Sequence, residues 1–113
     1  MSEILAPAGG ENSAFAAINA GADAIYLGLD KFSARSSAEN FNRENFIKIC
    51  KYARAFGVKV YVALNTVVKD RELTGFFNSV EEAWNNGADA LILQDLFLGK
   101  FLKQRFPQLK LHL

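Results

Sequence analysis

The sequence is poor in cysteine, histidine and proline. Its one cysteine, Cys50, excludes an internal disulfide and suits a reducing compartment. Its one histidine, His112, has no cysteine or carboxylate at ligand spacing, so no metal site is expected within these 113 residues. No apolar run nears the roughly 20 residues that span a bilayer, and no membrane role is expected. Residues 1–10 contain Glu3, Pro7, Gly9 and Gly10 and lack the basic-then-apolar order of a secretory signal. A cytoplasmic location is therefore expected. No charge dominates either. The formal net charge is +1, and it gives no support to nucleic-acid binding by bulk electrostatics.

What is present is ordinary globular material, with half of the residues hydrophobic and 22% charged. Its length fits one domain, 1–113. An internal echo organises it. Gly21-Ala22-Asp23-Ala24 leads into Ile25-Tyr26-Leu27-Gly28, and 66 residues later Gly87-Ala88-Asp89-Ala90 leads into Leu91-Ile92-Leu93-Gln94. Between them, Gly57 precedes Val58-Lys59-Val60-Tyr61-Val62-Ala63-Leu64. Each glycine follows a helical pattern and precedes a short aliphatic run, as at a helix C-terminus that needs positive φ.

The helical patterns are amphipathic. Phe46, Ile49, Cys50 and Ala53 fall at i, i+3, i+4, i+7; so do Leu73, Phe76, Phe77 and Val80; Leu98, Phe101 and Leu102 continue the series. Asn42, Asp70 and Asp95 are placed to cap these helices. The pattern predicts strands at 3–7, 23–29, 58–64, 89–94 and 109–113, with helices at 11–20, 42–56, 70–86 and 96–106. That is an α/β chain of four βα units followed by a fifth parallel strand. Two architectures fit: a partial TIM (β/α)8-type barrel, or a complete open doubly wound sheet. Strand phase favours the barrel. Val58, Val60, Val62 and Leu64 make one aliphatic face, suited to a helix layer. Lys59, Tyr61 and Ala63 make a mixed face, suited to a barrel interior. Because the chain stops at the fifth strand, the expectation is the N-terminal half of a barrel, truncated.

In either architecture chemistry gathers at the C-terminal ends of the strands. Those ends carry Gly9 and Gly10, Gly28 and Asp30, Asn65 and Thr66, Gln94 and Asp95, and His112. The Gly9-Gly10 turn could cradle an anion through backbone N–H groups or simply form a tight strand-to-helix turn. Arg35 and Asn40, in a loop bracketed by Phe32 and Phe41, could grip a carboxylate or phosphate. The candidate binding residues are Gly9, Tyr26, Arg35, Asn40, Asn65, Gln94, Asp95 and His112, without an assigned catalytic group. Cys50 lies on an apolar helix stripe and reads as a buried structural thiol. No Ser–His–Asp set, paired carboxylates or zinc motif can be assembled.

An ordered series of segments resembles the peptidase U32 (collagenase-like protease) family. It comprises Leu5-Ala6-Pro7-Ala8-Gly9, Gly21 to Gly28, Phe32 with Ala34-Arg35, Ala38 with Asn40-Phe41, Gly57 to Val62 with Asn65-Thr66, Gly87 to Ile92 with Gln94-Asp95, and Phe106-Pro107 with Leu111-His112. Gly10 stands where the family pattern has asparagine, and Lys31 also departs from it. The resemblance implies a barrel-type domain whose relatives carry a protease label or act in oxygen-independent hydroxylation of tRNA, rRNA or a quinone precursor. It implies an iron–sulfur cluster in a full-length parent, held by four cysteines beyond the matched region, and no cofactor in this chain.

The expected function is thus the N-terminal part of a U32-type protein whose parent hydroxylates an RNA base, the isolated chain being inactive. The alternatives are a true U32 peptidase, a free-standing α/β module binding an anion or small molecule, and a non-catalytic remnant that works by association. The expected partners are the remainder of the barrel or a second copy of the chain, and RNA for the parent.

Overall fold

The computed structural model describes residues 3–28, 41–64, 73–93 and 96–112. Strands and helices alternate: β1 (Leu5–Ala8), α1 (Glu11–Asn19), β2 (Ala24–Gly28), α2 (Arg43–Ala55), β3 (Lys59–Leu64), α3 (Leu73–Asn85), β4 (Ala90–Leu93), α4 (Leu96–Arg105) and β5 (Leu111–His112). All nine elements stand where periodicity puts them, with ends that differ by up to three residues. β1 starts at Leu5 rather than residue 3, and β5 is reduced to two residues. Two proposed caps, Asp70 and Asp95, lie outside the described residues.

The third cap is explicit. The Asn42 side chain accepts from the Asn45 backbone N–H at 2.9 Å, and the Asn45 side chain accepts from the Asn42 N–H at 2.6 Å. This reciprocal pair satisfies two donors that the first turn of α2 leaves open. The helix exits are equally local. Gly21, Gly57 and Gly87 have φ of 95°, 70° and 127°, a region closed to most side chains.

The five strands form one parallel sheet in the order β1-β2-β3-β4-β5. The order 2-1-3-4-5 of an open flavodoxin-like sheet does not form. All four helices bury side chains in the same cluster: Ala14 and Ile18 from α1, Phe46 and Ile49 from α2, Val80 and Ala83 from α3, and Leu102 from α4. They meet one face of the sheet, made by Ile25 and Leu27, by Val60, Val62 and Leu64, and by Leu91 and Leu93. Each of these aliphatic side chains contributes about 1.5–3 kcal/mol on burial. A doubly wound sheet carries helices on both faces. Here the described helices cover one.

The echoed Gly-Ala-Asp-Ala segments have a structural cause. Asp23 Oδ2 accepts from the Ile4 N–H at 2.7 Å, just before β1. Asp89 Oδ2 accepts from the Val60 N–H at 2.7 Å, inside β3. Each carboxylate ties the start of its own strand to the start of the preceding odd-numbered one. Cys50 packs beneath the second of these turns. A Cβ on Gly87 would stand 2.9 Å from Cys50 Cβ and 3.1 Å from its Sγ, so α2 approaches this backbone as closely as glycine allows.

Candidate functional site

The second sheet face follows from register. Partners in parallel strands share a face, and alternate residues along each strand share it too. Pro7, Tyr26, Tyr61 and Ala90 form one row across the sheet, and Gly28, Ala63, Ile92 and His112 the next, nearer the strand exits. Ala24, Tyr61 and Ala90 are buried here, with Tyr26 and Ile92 packed against them half-buried. The sequence assigned the mixed phase of β3 to a barrel interior. In the structure this phase is the helix-free face.

Polarity on this face is graded. Toward the strand starts, Tyr61 fills the surface and its hydroxyl lies 3.5 Å from Glu3 Oε1, a long contact at the limit of a hydrogen bond. Burial pushes the Tyr61 phenol above its ordinary value, and the negative charges of Glu3 and Asp89 push the same way. Toward the strand exits the next row has the small residues Gly28 and Ala63 beside half-buried Ile92. A ligand on this face would meet an aromatic and aliphatic floor made by Tyr26, Tyr61 and Ile92.

Of the proposed binding residues, Tyr26 lies on this face and His112 occupies the register position beside Ile92. Gly9 is exposed between β1 and α1, and Gly10 caps α1 with an extended backbone, its carbonyl accepting from Ala14 N–H at 3.0 Å. Arg35, Asn40, Asn65, Gln94 and Asp95 lie outside the described residues, as do Asp30 and Thr66. By sequence, Asn65 follows the last residue of β3 and Gln94 that of β4. Phe41, at the end of the polar loop, is fully buried in the helix-side core rather than available to a ligand. Glu3 was not singled out in the sequence. Its contact with Tyr61 joins residues 58 apart, and no local pattern signals that.

Cys50 is 5% exposed, and burial is the chief force pushing its thiol up to about 12; the Asp89 charge adds to this, while Arg54 opposes it. Such a thiol is neither nucleophile nor ready ligand at neutral pH. Among the described residues, no three histidine, cysteine or acidic side chains are grouped to hold a metal ion. Nor is any helix among them long and apolar enough to cross a membrane.

The comparisons with known proteins point to one family. The model of peptidase family U32 matches residues 9–113. A collagenase of Porphyromonas gingivalis is 38% identical over 95 residues, covering 83% of this chain and 23% of that protein. A 23S rRNA 5-hydroxycytidine synthase of Escherichia coli is 36% identical over 110 residues, covering 97% of this chain and 16% of that protein. The tRNA hydroxylation protein P of Escherichia coli is 34% identical over 111 residues, 98% of this chain and 24% of that protein. The chain thus spans a quarter or less of the length of these relatives.

Proposed function

This chain belongs to peptidase family U32, and we propose that it forms the N-terminal half of a (β/α)8-type barrel in a parent that hydroxylates an RNA base. The sequential parallel order and the single helix layer support the barrel, because closing such a sheet turns its helix-free face inward. The partners that would cover this face and the open edges of β1 and β5 are the remainder of the barrel or a second copy of the chain. Ile4 and Leu5, 62% and 45% exposed at the β1 edge, are the apolar area such a partner would bury. The binding residues of this reading are those at the strand exits: Gly9, Tyr26, Arg35, Asn40, Asn65, Gln94, Asp95 and His112.

The observation that favours the RNA reading over proteolysis is the extent of the similarity: the rRNA and tRNA hydroxylation proteins align over 97% and 98% of this chain and the collagenase over 83%. The collagenase similarity keeps a peptidase as the second reading. An iron–sulfur cluster does not fit these residues, since a cluster takes several thiolates and Cys50 offers one buried thiol. Any cluster in the parent would draw its ligands from outside residues 1–113. An RNA substrate also places the parent in the cytoplasm.

The test is nucleoside mass spectrometry on tRNA and rRNA from host cells with and without the gene. Loss of one oxygen-bearing nucleoside, restored by the gene, is the expected result. Unchanged nucleosides, together with peptide cleavage by the purified parent, would overturn the reading in favour of the peptidase.

A further inference from the structure

The two aspartate ties share one geometry. Ile4 and Val60 donate their N–H groups to the carboxylates of Asp23 and Asp89, each at 2.7 Å. Their carbonyls accept the N–H groups of the same two aspartates, at 2.9 and 2.7 Å. Ile4 and Val60 are therefore equivalent positions, and so are the residues after them, Leu5 and Tyr61. The register sets these equivalents apart by a fixed step. Leu5 pairs with Ala24, and Ala24 with Lys59, which stands two residues before Tyr61. From β1 to β3 the pattern thus advances by two residues. Four such steps sum to the shear of a closed (β/α)8 barrel.

The same step carried from β3 to β5 identifies the next position in the series. Tyr61 pairs with Ala90, and the following residue, Leu91, pairs with Leu111. Lys110 thus stands level with Ala90 as Lys59 does with Ala24, and the equivalent of Val60 is Leu111. The side chains agree. Val58-Lys59-Val60 and Leu109-Lys110-Leu111 each set an exposed lysine between aliphatic residues that pack on the helix-side core.

Leu111 lacks what Val60 has. Leu91 N–H donates to the Lys110 carbonyl at 2.8 Å, so the alternation of a parallel ladder turns the Leu111 N–H away from β4, to the open edge of the sheet. No described residue accepts it. A backbone donor that is covered without a partner is costly, so whatever covers this edge must bring an acceptor. At Ile4 and Val60 the acceptor is a side chain rather than a neighbouring carbonyl. In both cases the aspartate stands two residues after a positive-φ glycine, Gly21 or Gly87.

We infer that the β5 edge is a docking site for the next strand of the parent, and that this sixth strand opens on an aspartate, two residues after a glycine, whose carboxylate accepts from the Leu111 N–H. The chain spans a quarter or less of its relatives, which leaves ample length for such a strand. A second copy of the chain does not offer this chemistry. Its Asp23 and Asp89 are already engaged, and its open edge, β1, is preceded by Glu3, whose carboxylate lies toward Tyr61 on the helix-free face. The inference rests on the barrel reading proposed above and adds the group that the sixth strand must bring.

The test is nuclear magnetic resonance of the parent, nitrogen-labelled at leucine, isoleucine and valine. An amide bound to a carboxylate shifts as that carboxylate protonates. Lowering the pH from about 7 to about 4, toward the usual aspartate value, should move the Ile4, Val60 and Leu111 amides together. Leu91, bound to a backbone carbonyl, should stay in place. The Leu111 amide should also exchange with solvent about ten-fold or more slowly than an open amide. Replacing the aspartate at the head of the sixth strand by asparagine should abolish the Leu111 titration alone, as Asp89→Asn should abolish that of Val60. A protected Leu111 amide that does not titrate, or a sixth strand that opens without an aspartate, overturns the inference and leaves the barrel reading standing. A Leu111 amide that exchanges freely in the folded parent overturns the barrel reading as well. Protection that grows with protein concentration assigns the edge to a second copy and overturns the inference.

Discussion

Gly87 offers a sharp test of how closely the helix layer is seated. Its φ of 127° is strained for any L-residue, and a methyl group there would meet Cys50 Cβ at 2.9 Å and Sγ at 3.1 Å. Gly21 and Gly57 also have positive φ, 95° and 70°, but an added Cβ meets nothing within 4 Å at either. The three alanine variants therefore separate backbone strain from collision. Strain alone costs about 1–2 kcal/mol, which Gly21→Ala and Gly57→Ala should show, Gly57 least because its φ lies nearest the left-handed minimum. Gly87→Ala adds overpacking of about 1–3 kcal/mol. Its total of about 2–5 kcal/mol is a large part of the roughly 5–15 kcal/mol that holds a domain together. Urea unfolding followed by circular dichroism at constant m-value reads the difference. Cys50→Ala in the Gly87→Ala background should rescue only part of it, because it removes the sulfur and leaves the nearer Cβ contact. If Gly87→Ala costs no more than Gly21→Ala, the close seating of α2 on this turn is wrong.

Three further outcomes are expected. Asp89→Ala removes a charged acceptor from the Val60 N–H and should cost about 1–3 kcal/mol in thermal or urea unfolding, whereas Asp23→Ala, whose bond to Ile4 is exposed, should cost less. Equal losses, or none, would count against the carboxylate ties. Asn42→Ala removes half of the reciprocal cap and should destabilise by about 0.5–2 kcal/mol, with circular dichroism showing the loss in helix stability. The Cys50 thiol should resist Ellman's reagent at pH 8 until the chain unfolds. Its folded pKa, raised from 9.0 to about 12, means that the unfolded chain loses this proton first as pH rises. Its contribution to stability is complete below pH 9 and falls by about 1.4 kcal/mol per unit, at most, between pH 9 and 12. Cys50→Ala should remove that component of the alkaline slope, and an unchanged slope would refute the burial argument.

The sequence exposed the architecture because each element is specified locally. The glycines at 21, 57 and 87 mark helix exits by a backbone demand that few other residues meet. The alternation of β3 separates Val60 and Val62 from Tyr61 and Ala63 without reference to any other strand. Asn42 capped α2 as expected, although its partner at the third helical position is Asn45 rather than the customary glutamate. What depends on distant partners stayed hidden. The echo of Asp23 and Asp89 was visible, but its purpose was not, because their acceptor bonds reach Ile4, 19 residues away, and Val60, 29 away. Phe41 reads as a loop aromatic in sequence and is a core residue in the fold. The strand-exit candidates were placed by the architecture's general rule, which locates a rim and leaves its chemistry unassigned.

The two aspartate ties have a consequence for how such a chain can change over generations. Both act at the strand-start end, where Ile4 and Val60 are held by carboxylates that belong to neighbouring units. Register is thereby set before the chain reaches the opposite rim. Segments inserted, shortened or exchanged after Gly28, Leu64 or Leu93 would leave these anchors untouched. A scaffold clamped at one rim can host divergent substrate-facing loops at the other, and one sheet can then serve relatives with unlike chemistries.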